Sequence, residues 1–564
     1  LLTSENARAR SLIDILTEAG ADIRQGADPA LLERERELQG FLRSQARYQM
    51  ELSINGRHQT ESEEANRQLD QLTTAYQEVE GKLRDQNPRR LALVPPAPLS
   101  LAQIQAELPD GDTILLEYAL GDERSYLWAV TRDSLRSYEL PSRATIEEAG
   151  HEVYNLLTAR QLVGGKIEDG YQAKVEASDR DYYDKALRLS QMLLGPVAEH
   201  LGTRRILVVS EGVLQYIPFD ALPTPRQQSS EMKAEETPAP NAEDMSPLIA
   251  THEIVTLPSF STLVAIRRER RRASSPNKIV AVLADPVFSS NDDRVQNGKP
   301  DSVMAASAAG PNLNQPALRD FEARLRDGGT MRLMHASEEA DAILESAPRG
   351  TGMAAKGFEA SRETAMSSLI GEYRIVHFAT HGFLNSEHPE LSGIVLTMVN
   401  ADGSRTNGLM PLNDIYNLNL SADLVVLSAC DTALGRDVKG EGLVGLTRGF
   451  MSAGSKSVVA SLWKVDDRAT AILMAEFYKS MLEDGQSPAA ALRSAKQKMR
   501  QDKAWSAPYF WAGFVLQGEY SENISVNRKT RLPLGLAVSL VLVLISSGLI
   551  ILQRRRRRSP PVRN

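Results

Sequence analysis

The sequence predicts an α/β protein. The expected core is a mostly parallel sheet covered by helices on both faces. An α+β subdomain and a helical hairpin precede it, and one C-terminal transmembrane helix follows it. Three observations predict this. Short, continuously apolar runs alternate with helix-period stretches from about residue 278 onward. Such runs are what a strand buried on both faces needs. Residues 1 to about 87 are polar and helix-forming. Finally, Leu532–Leu552 carries no charged residue.

In chain order, residues 1–90 read as a helical hairpin or the end of a helical repeat region. Leu69, Leu72, Tyr76, Val79 and Leu83 give a narrow apolar seam, and Asn55-Gly56 is the break between two long helices. A solvated spacer helix is the alternative. The chain opens on Leu1 rather than Met, so a fragment of a longer protein is expected. After the Pro95–Pro98 punctuation, residues 99–270 form the α+β subdomain. Thr113–Tyr118 and Ser125–Thr131 are its expected hairpin strands, with turn chemistry at Gly121-Asp122, and Arg204–Ser210 is a buried strand. Helices are expected around 144–160 and 180–200. Residues 224–247 and 289–316 read as flexible insertions, being rich in Pro, Ser, Glu and Ala or similarly biased.

Residues 278–520 form the main α/β domain. Its expected strands are Lys278–Leu283, Arg374–Ala379, Asp423–Ser428 and Ser457–Leu462. Helical patterns lie at 337–346, 360–370, 441–453, 467–483 and 487–500. Sites in such sheets form beyond the C-terminal strand ends.

The end of the chain has a different character. About 21 residues at ~1.5 Å each give roughly 31 Å, the thickness of a hydrocarbon core. Arg554–Arg558 follow at once, opening a basic tail over 553–564. The positive-inside rule then expects a single-pass membrane protein with a cytoplasmic tail and an extracytoplasmic body. A tail anchor with a cytoplasmic body is the alternative.

Composition excludes several function classes. The net charge is −8 over 564 residues, which argues against a general nucleic-acid binder. One cysteine, Cys430, excludes an internal disulfide framework and any cysteine-rich metal site. No cofactor is expected. His377 and His381 have H-x-x-x-H spacing, but on a strand four residues span ~13 Å, too far for one ion. No metal is therefore expected, and His377 is read as packed or hydrogen-bonded inside the sheet.

Two strand ends carry chemistry. The run Arg374–Ala379 ends in Thr380-His381-Gly382, and Asp423–Ser428 ends in Ala429-Cys430-Asp431-Thr432. A free thiol with pKa ~8.5 is mostly protonated at neutral pH, and the thiolate is the nucleophile. A neighbouring imidazole takes the proton and later gives one to a leaving amine. The histidine stands about 50 residues upstream of the cysteine, an order that fits such a pair. Gly382 has no side chain to block a backbone donor, and the Cys430 amide is the natural second donor to an oxyanion. Taken singly, each residue reads more readily as structural; the pairing at adjacent strand ends, in this order and separation, points to chemistry. Ser428 lies inside its apolar run and not at a G-x-S-x-G elbow, so a serine hydrolase is a weak alternative.

At VHFATHG (Val376–Gly382), LSACDTALG (Leu427–Gly435), Gly440–Asp467 and PYFWAGFVLQG (Pro508–Gly518) the sequence resembles the CHAT-domain family. These are caspase-like cysteine peptidase domains often associated with tetratricopeptide repeats. LQYIPFDAL (Leu214–Leu222) and LADPVF (Leu283–Phe288) match as well. The resemblance implies a caspase-like catalytic domain with a dyad of His381 and Cys430 and an oxyanion position at Gly382. It also implies a substrate pocket at Asp431, Ser461 and Trp463, with Asp431 attracting a basic side chain. The expected function is a membrane-anchored cysteine endopeptidase acting on a protein or peptide substrate, gated by a partner or by upstream repeats. A catalytically silent scaffold is the alternative. Asp466 and Asp467 read as helix-capping residues, and Arg267–Arg272 as a basic last helical turn.

Overall fold

The computed structural model describes residues 1–5, scattered positions between 30 and 79, 99–161 apart from 109, 170–226, 246–270, 276–295, 332–383, 392–428 and 441–524. The chain divides into two units, Leu1–Ile524 and Ser525–Asn564, and the second lies wholly outside the described residues. The hairpin break at Asn55-Gly56 and most of the 69–83 seam lie outside them too.

In the first unit an eleven-stranded sheet runs in the order β3-β2-β1-β4-β5-β14-β13-β12-β8-β6-β7. Its strands are β1 (Thr113–Ala119), β2 (Ser125–Val130), β3 (Leu135–Leu140), β4 (Arg205–Val209), β5 (Ile254–Leu257), β6 (Lys278–Ala284), β7 (Gly352–Lys356), β8 (Tyr373–Ala379), β12 (Leu424–Leu427), β13 (Ser457–Ser461) and β14 (Phe514–Gly518). A second sheet holds the three short strands β9 (His381–Phe383), β10 (Gly393–Val395) and β11 (Leu409–Pro411). The large sheet is parallel except along β3–β2–β1 and at the β13–β14 pair.

Sequence explains the middle of this sheet directly. All of β12 and β13 is buried, and β6 and β8 are buried at every position but one. Valine, isoleucine and leucine fill these strands because both faces are covered. Among the described residues the eight longest helices are α1 (Leu101–Glu107), α2 (Arg143–Leu157), α3 (Tyr171–Leu194), α4 (Phe260–Arg270), α5 (Ala336–Ser346), α6 (Glu441–Ser452), α7 (Asp467–Tyr478) and α8 (Pro488–Gln501). Several start where a side-chain cap dictates. Ser142 accepts from the Thr145 N–H, Asp466 from Ala469, and Ser487 from Ala490 with Pro488 at the first helical position. α5 carries the chain from β6 to its parallel neighbour β7, and α6 does the same between β12 and β13. The end of α7 widens into a π-helical turn over Lys479–Glu483.

The two predicted regions share one sheet. β5, from the 99–270 stretch, pairs with β14, from the 278–520 stretch, at Gln517↔Thr256. At the N-terminal edge of the central strands, Asp423 binds Arg374 at 2.5 Å and Lys456 at 2.9 Å. One carboxylate thus ties the starts of β8, β12 and β13 together.

Some elements differ from expectation. β3, β5, β7, β14 and the three strands of the small sheet are additional. β3 is an exposed edge strand, and β7 reads Gly-Met-Ala-Ala-Lys, so neither shows a buried-strand pattern. The expected helix at 360–370 is one turn over Arg362–Ala365 followed by a 3-10 turn.

The C-terminal transmembrane helix is corrected, and with it the single-pass membrane topology with a cytoplasmic tail. Among the described residues no helix is long and apolar enough to cross a membrane. The longest described helix, α3, carries Lys174, Glu176, Asp179, Arg180 and Asp181. Each charge at a bilayer centre would cost about 2.5–3.5 kcal/mol. The stretch 532–552 and the basic tail 553–564 lie outside the described residues.

Candidate active site

Three neighbouring parallel strands, β12, β8 and β6, end level with one another. Leu427 pairs with Phe378, and Ala284 pairs with Ala379. The chain therefore leaves β12 at Ser428, β8 at Thr380 and β6 at Asp285 on a single rim, the C-terminal rim where open parallel sheets gather their chemistry.

His381 stands on this rim. One residue separates it from β8, and it opens β9, where it pairs with Val395 of β10. The Thr380 hydroxyl donates to the Val395 carbonyl, which fixes the turn from one sheet into the other. Gly393 on β10 lies so close to the Met410 carbonyl that a Cβ would collide with it, so the small sheet needs glycine there. The imidazole is 7 % exposed. The Phe288 ring packs against it at 5.0 Å between centroids, tilted by 44°. Phe288 belongs to an apolar cluster with Val287, Val395, Met398, Val399 and Leu409.

The loop that delivers Phe288 begins at Asp285. Its φ of 50° is the only positive value at a non-glycine among the described residues. Left-handed backbone costs energy at any side-chain-bearing residue, least at Asp and Asn. Arg332 grips the Asp285 carboxylate with two parallel bonds of 2.9 and 2.8 Å, and Arg294 donates to its carbonyl at 2.9 Å. Arg294 also binds Asp292. Burial opposes the Asp292 charge, yet the Arg294 bonds outweigh it and pull the carboxyl down to about 2.

His377, four residues before His381, is fully buried in β8. Its Nε2 lies 2.7 Å from Glu339 Oε1 and 3.0 Å from Ser428 Oγ, and its Nδ1 lies 3.0 Å from the Tyr478 hydroxyl. The expected hydrogen bonding inside the sheet is what the structure has, with partners on α5 and α7 that spacing did not reveal.

Of the other expected site residues, Gly382 is buried in β9 opposite Ile394. Ser461 ends β13 and is fully buried opposite Phe514. Trp463 is fully buried as well. Its indole N–H donates to the Tyr509 carbonyl at 3.1 Å, and Tyr154 packs edge-on against the ring. Cys430 and Asp431 lie outside the described residues. Asp466 caps α7, while Asp467 accepts from the His335 N–H at 2.9 Å. Arg267 is held by Glu519 at 2.5 Å and lies over the Tyr520 ring. Sequence reading singled out neither Asp285 nor Phe288 for a role. Their one signal was LADPVF, a stretch that stops at this strand end.

Tetratricopeptide repeat protein 28 of Mus musculus is 28 % identical over 361 residues, 57 % of this chain and 12 % of that protein. The Homo sapiens protein of the same name is 28 % identical over 358 residues, with the same coverage. The chain thus matches about an eighth of the length of these relatives. Among solved structures, the Saccharomyces cerevisiae separase–securin complex, at 2.6 and at 3.0 Å resolution, aligns with a TM-score of 0.44 and 9 % identity. It covers 92 % of this chain and 40 % of that one. Residues 184–519 match the model of the CHAT domain, a stretch that runs from α3 to β14 and includes the whole rim described above, so the chain belongs to the CHAT-domain family.

Proposed function

We propose that this chain is a caspase-like cysteine endopeptidase that works through His381 and Cys430. The observation that supports the reading most is the parallel pairing of β8 with β12, in register at Phe378 and Leu427. One strand leads to the histidine and the other, three residues beyond Leu427, to the cysteine.

In this reading the imidazole of His381 takes the thiol proton of Cys430, and the thiolate attacks the scissile carbonyl carbon. The resulting oxyanion accepts from the backbone N–H groups of Gly382 and Cys430. The imidazolium then returns its proton to the leaving amine. Water, deprotonated by the same imidazole, hydrolyses the acyl–sulfur bond and frees the thiol. Asp431 offers its negative charge to a basic substrate side chain. Helical repeats upstream, of the sort named in the relatives, would receive the regulatory partner.

A second reading is a silent scaffold built on the same fold. The low exposure of His381, 7 %, favours it. Cleavage of a peptide library by the chain separates the two. Cys430→Ala and His381→Ala should each abolish cleavage, and the double variant should lose little more than either alone, because the pair acts as a unit. Cleavage retained in Cys430→Ala would end the peptidase reading.

A further inference from the structure

Beneath the rim the chain buries an ionisable network that the dyad chemistry does not use. Glu339 on α5, His377 on β8, Tyr478 at the end of α7 and Ser428 just past β12 are 2, 0, 0 and 3 % exposed. All three of the others lie within 3.0 Å of the His377 ring nitrogens.

Stability does not account for it. In the sheet, His377 sits between Val282 of β6 and Val426 of β12, and apolar side chains in place of both His377 and Glu339 would pack there without burying a carboxylate. Replacing buried ionic groups by apolar ones of similar size is often neutral or stabilising.

The geometry shows what the network holds. Burial, reinforced by the charge of Glu339, pushes the Tyr478 phenol well above its ordinary range, so its hydroxyl keeps the proton and donates to Nδ1. The imidazole hydrogen is then on Nε2 and is shared with Ser428 Oγ, while Glu339 Oε1 lies 2.7 Å from the same nitrogen as a charge contact. Asp467, at the start of α7, also faces Glu339, and burial pushes its carboxyl up. Ser428 is bound to β8 twice more, by its N–H to the Phe378 carbonyl at 3.1 Å and by its hydroxyl to the same oxygen at 3.4 Å.

We propose that His377, held by Glu339 and Tyr478 and gripping Ser428, is a positioning residue for the dyad. It locks the end of β12, two residues before Cys430, to the strand that presents His381 four residues later. His377 touches no substrate. The inference rests on the reading of His381 and Cys430 as a dyad.

The test uses iodoacetamide, which needs no substrate pocket, on the full chain. Cys430 is the only thiol in the sequence, so the alkylation rate against pH reports it alone. The wild-type midpoint should lie below that of His381→Ala. His377→Phe leaves the Glu339 carboxylate buried without its partner and should unfold at a lower temperature than wild type; below that temperature its midpoint should move to that of His381→Ala, with a rate at pH 7 at least fivefold lower. His377→Gln, whose amide N–H replaces the Nε2 donor, should restore at least half of the shift. Should His377→Phe not fold, Ser428→Ala takes its place and should move the midpoint in the same direction by less. A wild-type pH profile in folded His377→Phe or Ser428→Ala overturns the positioning role alone. A wild-type midpoint equal to that of His381→Ala overturns the dyad itself.

Discussion

The two halves of the large sheet end their parallel strands in different ways. On the N-terminal side, β1 runs out at Leu120 and β4 at Ser210-Glu211. There the Glu211 carboxylate accepts from the Leu120 N–H at 2.5 Å, while Arg143 bonds the Leu120 carbonyl at 2.7 Å and Glu211 at 3.3 Å. These polar groups tie the chain to itself. On the C-terminal side, β8, β12 and β6 run out at a buried imidazole, a serine bound from below and a left-handed aspartate. Strand direction marks both rims as places for a site. The difference lies in side chains: a closed ion pair finishes one rim, and strained or ionisable groups furnish the other.

Truncations in the core would bear hardest on this comparison. Phe378→Ala in β8 removes a fully buried ring packed 5.5 Å from Phe450, and Leu207→Ala in β4 empties an equally buried site. Each should destabilise by about 3–4 kcal/mol. Because β5 and β14 join the halves, each variant should still show one urea transition over the whole sheet. Two separate transitions would make the halves independent folding units.

At the rims themselves, Glu211→Ala should lower stability by about 1–2 kcal/mol and leave alkylation of Cys430 unchanged. Phe288→Leu should cost less than about 1.5 kcal/mol and slow His381-dependent alkylation severalfold, because the ring that orients the imidazole is lost. Equal effects of the two variants on alkylation would erase the distinction between the rims.

Acid offers a third test. The Asp292 carboxyl is pulled down to about 2 in the fold, from 3.8. A depressed acid contributes its stability above the unfolded value and loses it as pH falls from about 4 to 2. The stability difference between wild type and Arg294→Ala should therefore be of the order of 1–2 kcal/mol at neutral pH and shrink as pH falls through about 2. A difference independent of pH would assign the role of Arg294 to its bond with the Asp285 carbonyl. The smallest expected effect is at a helix start far from either rim, where Ser487→Ala should cost about 1 kcal/mol and nothing in alkylation.

Much of the fold was legible because buried parallel strands write themselves as apolar runs. β4, β6, β8, β12 and β13 all fall where those runs lie. β3 and β7 escaped notice because edge strands need no apolar pattern, and β9–β11 because three residues carry no periodicity. His381 was legible from its place after a buried strand. The partners of His377 were not. Glu339 and Tyr478 belong to helices 38 residues upstream and 101 residues downstream of it, and no local pattern links them.

The sequence by itself determined that strands and helices alternate and that a histidine and a cysteine each follow a buried strand, since burial and side-chain chemistry are local properties. Tertiary structure alone decided that those two strands are neighbours, that both halves share one sheet, and that Phe288 and Glu339 meet the two histidines. Contacts between distant segments depend on strand order and helix placement, which packing sets and periodicity does not record.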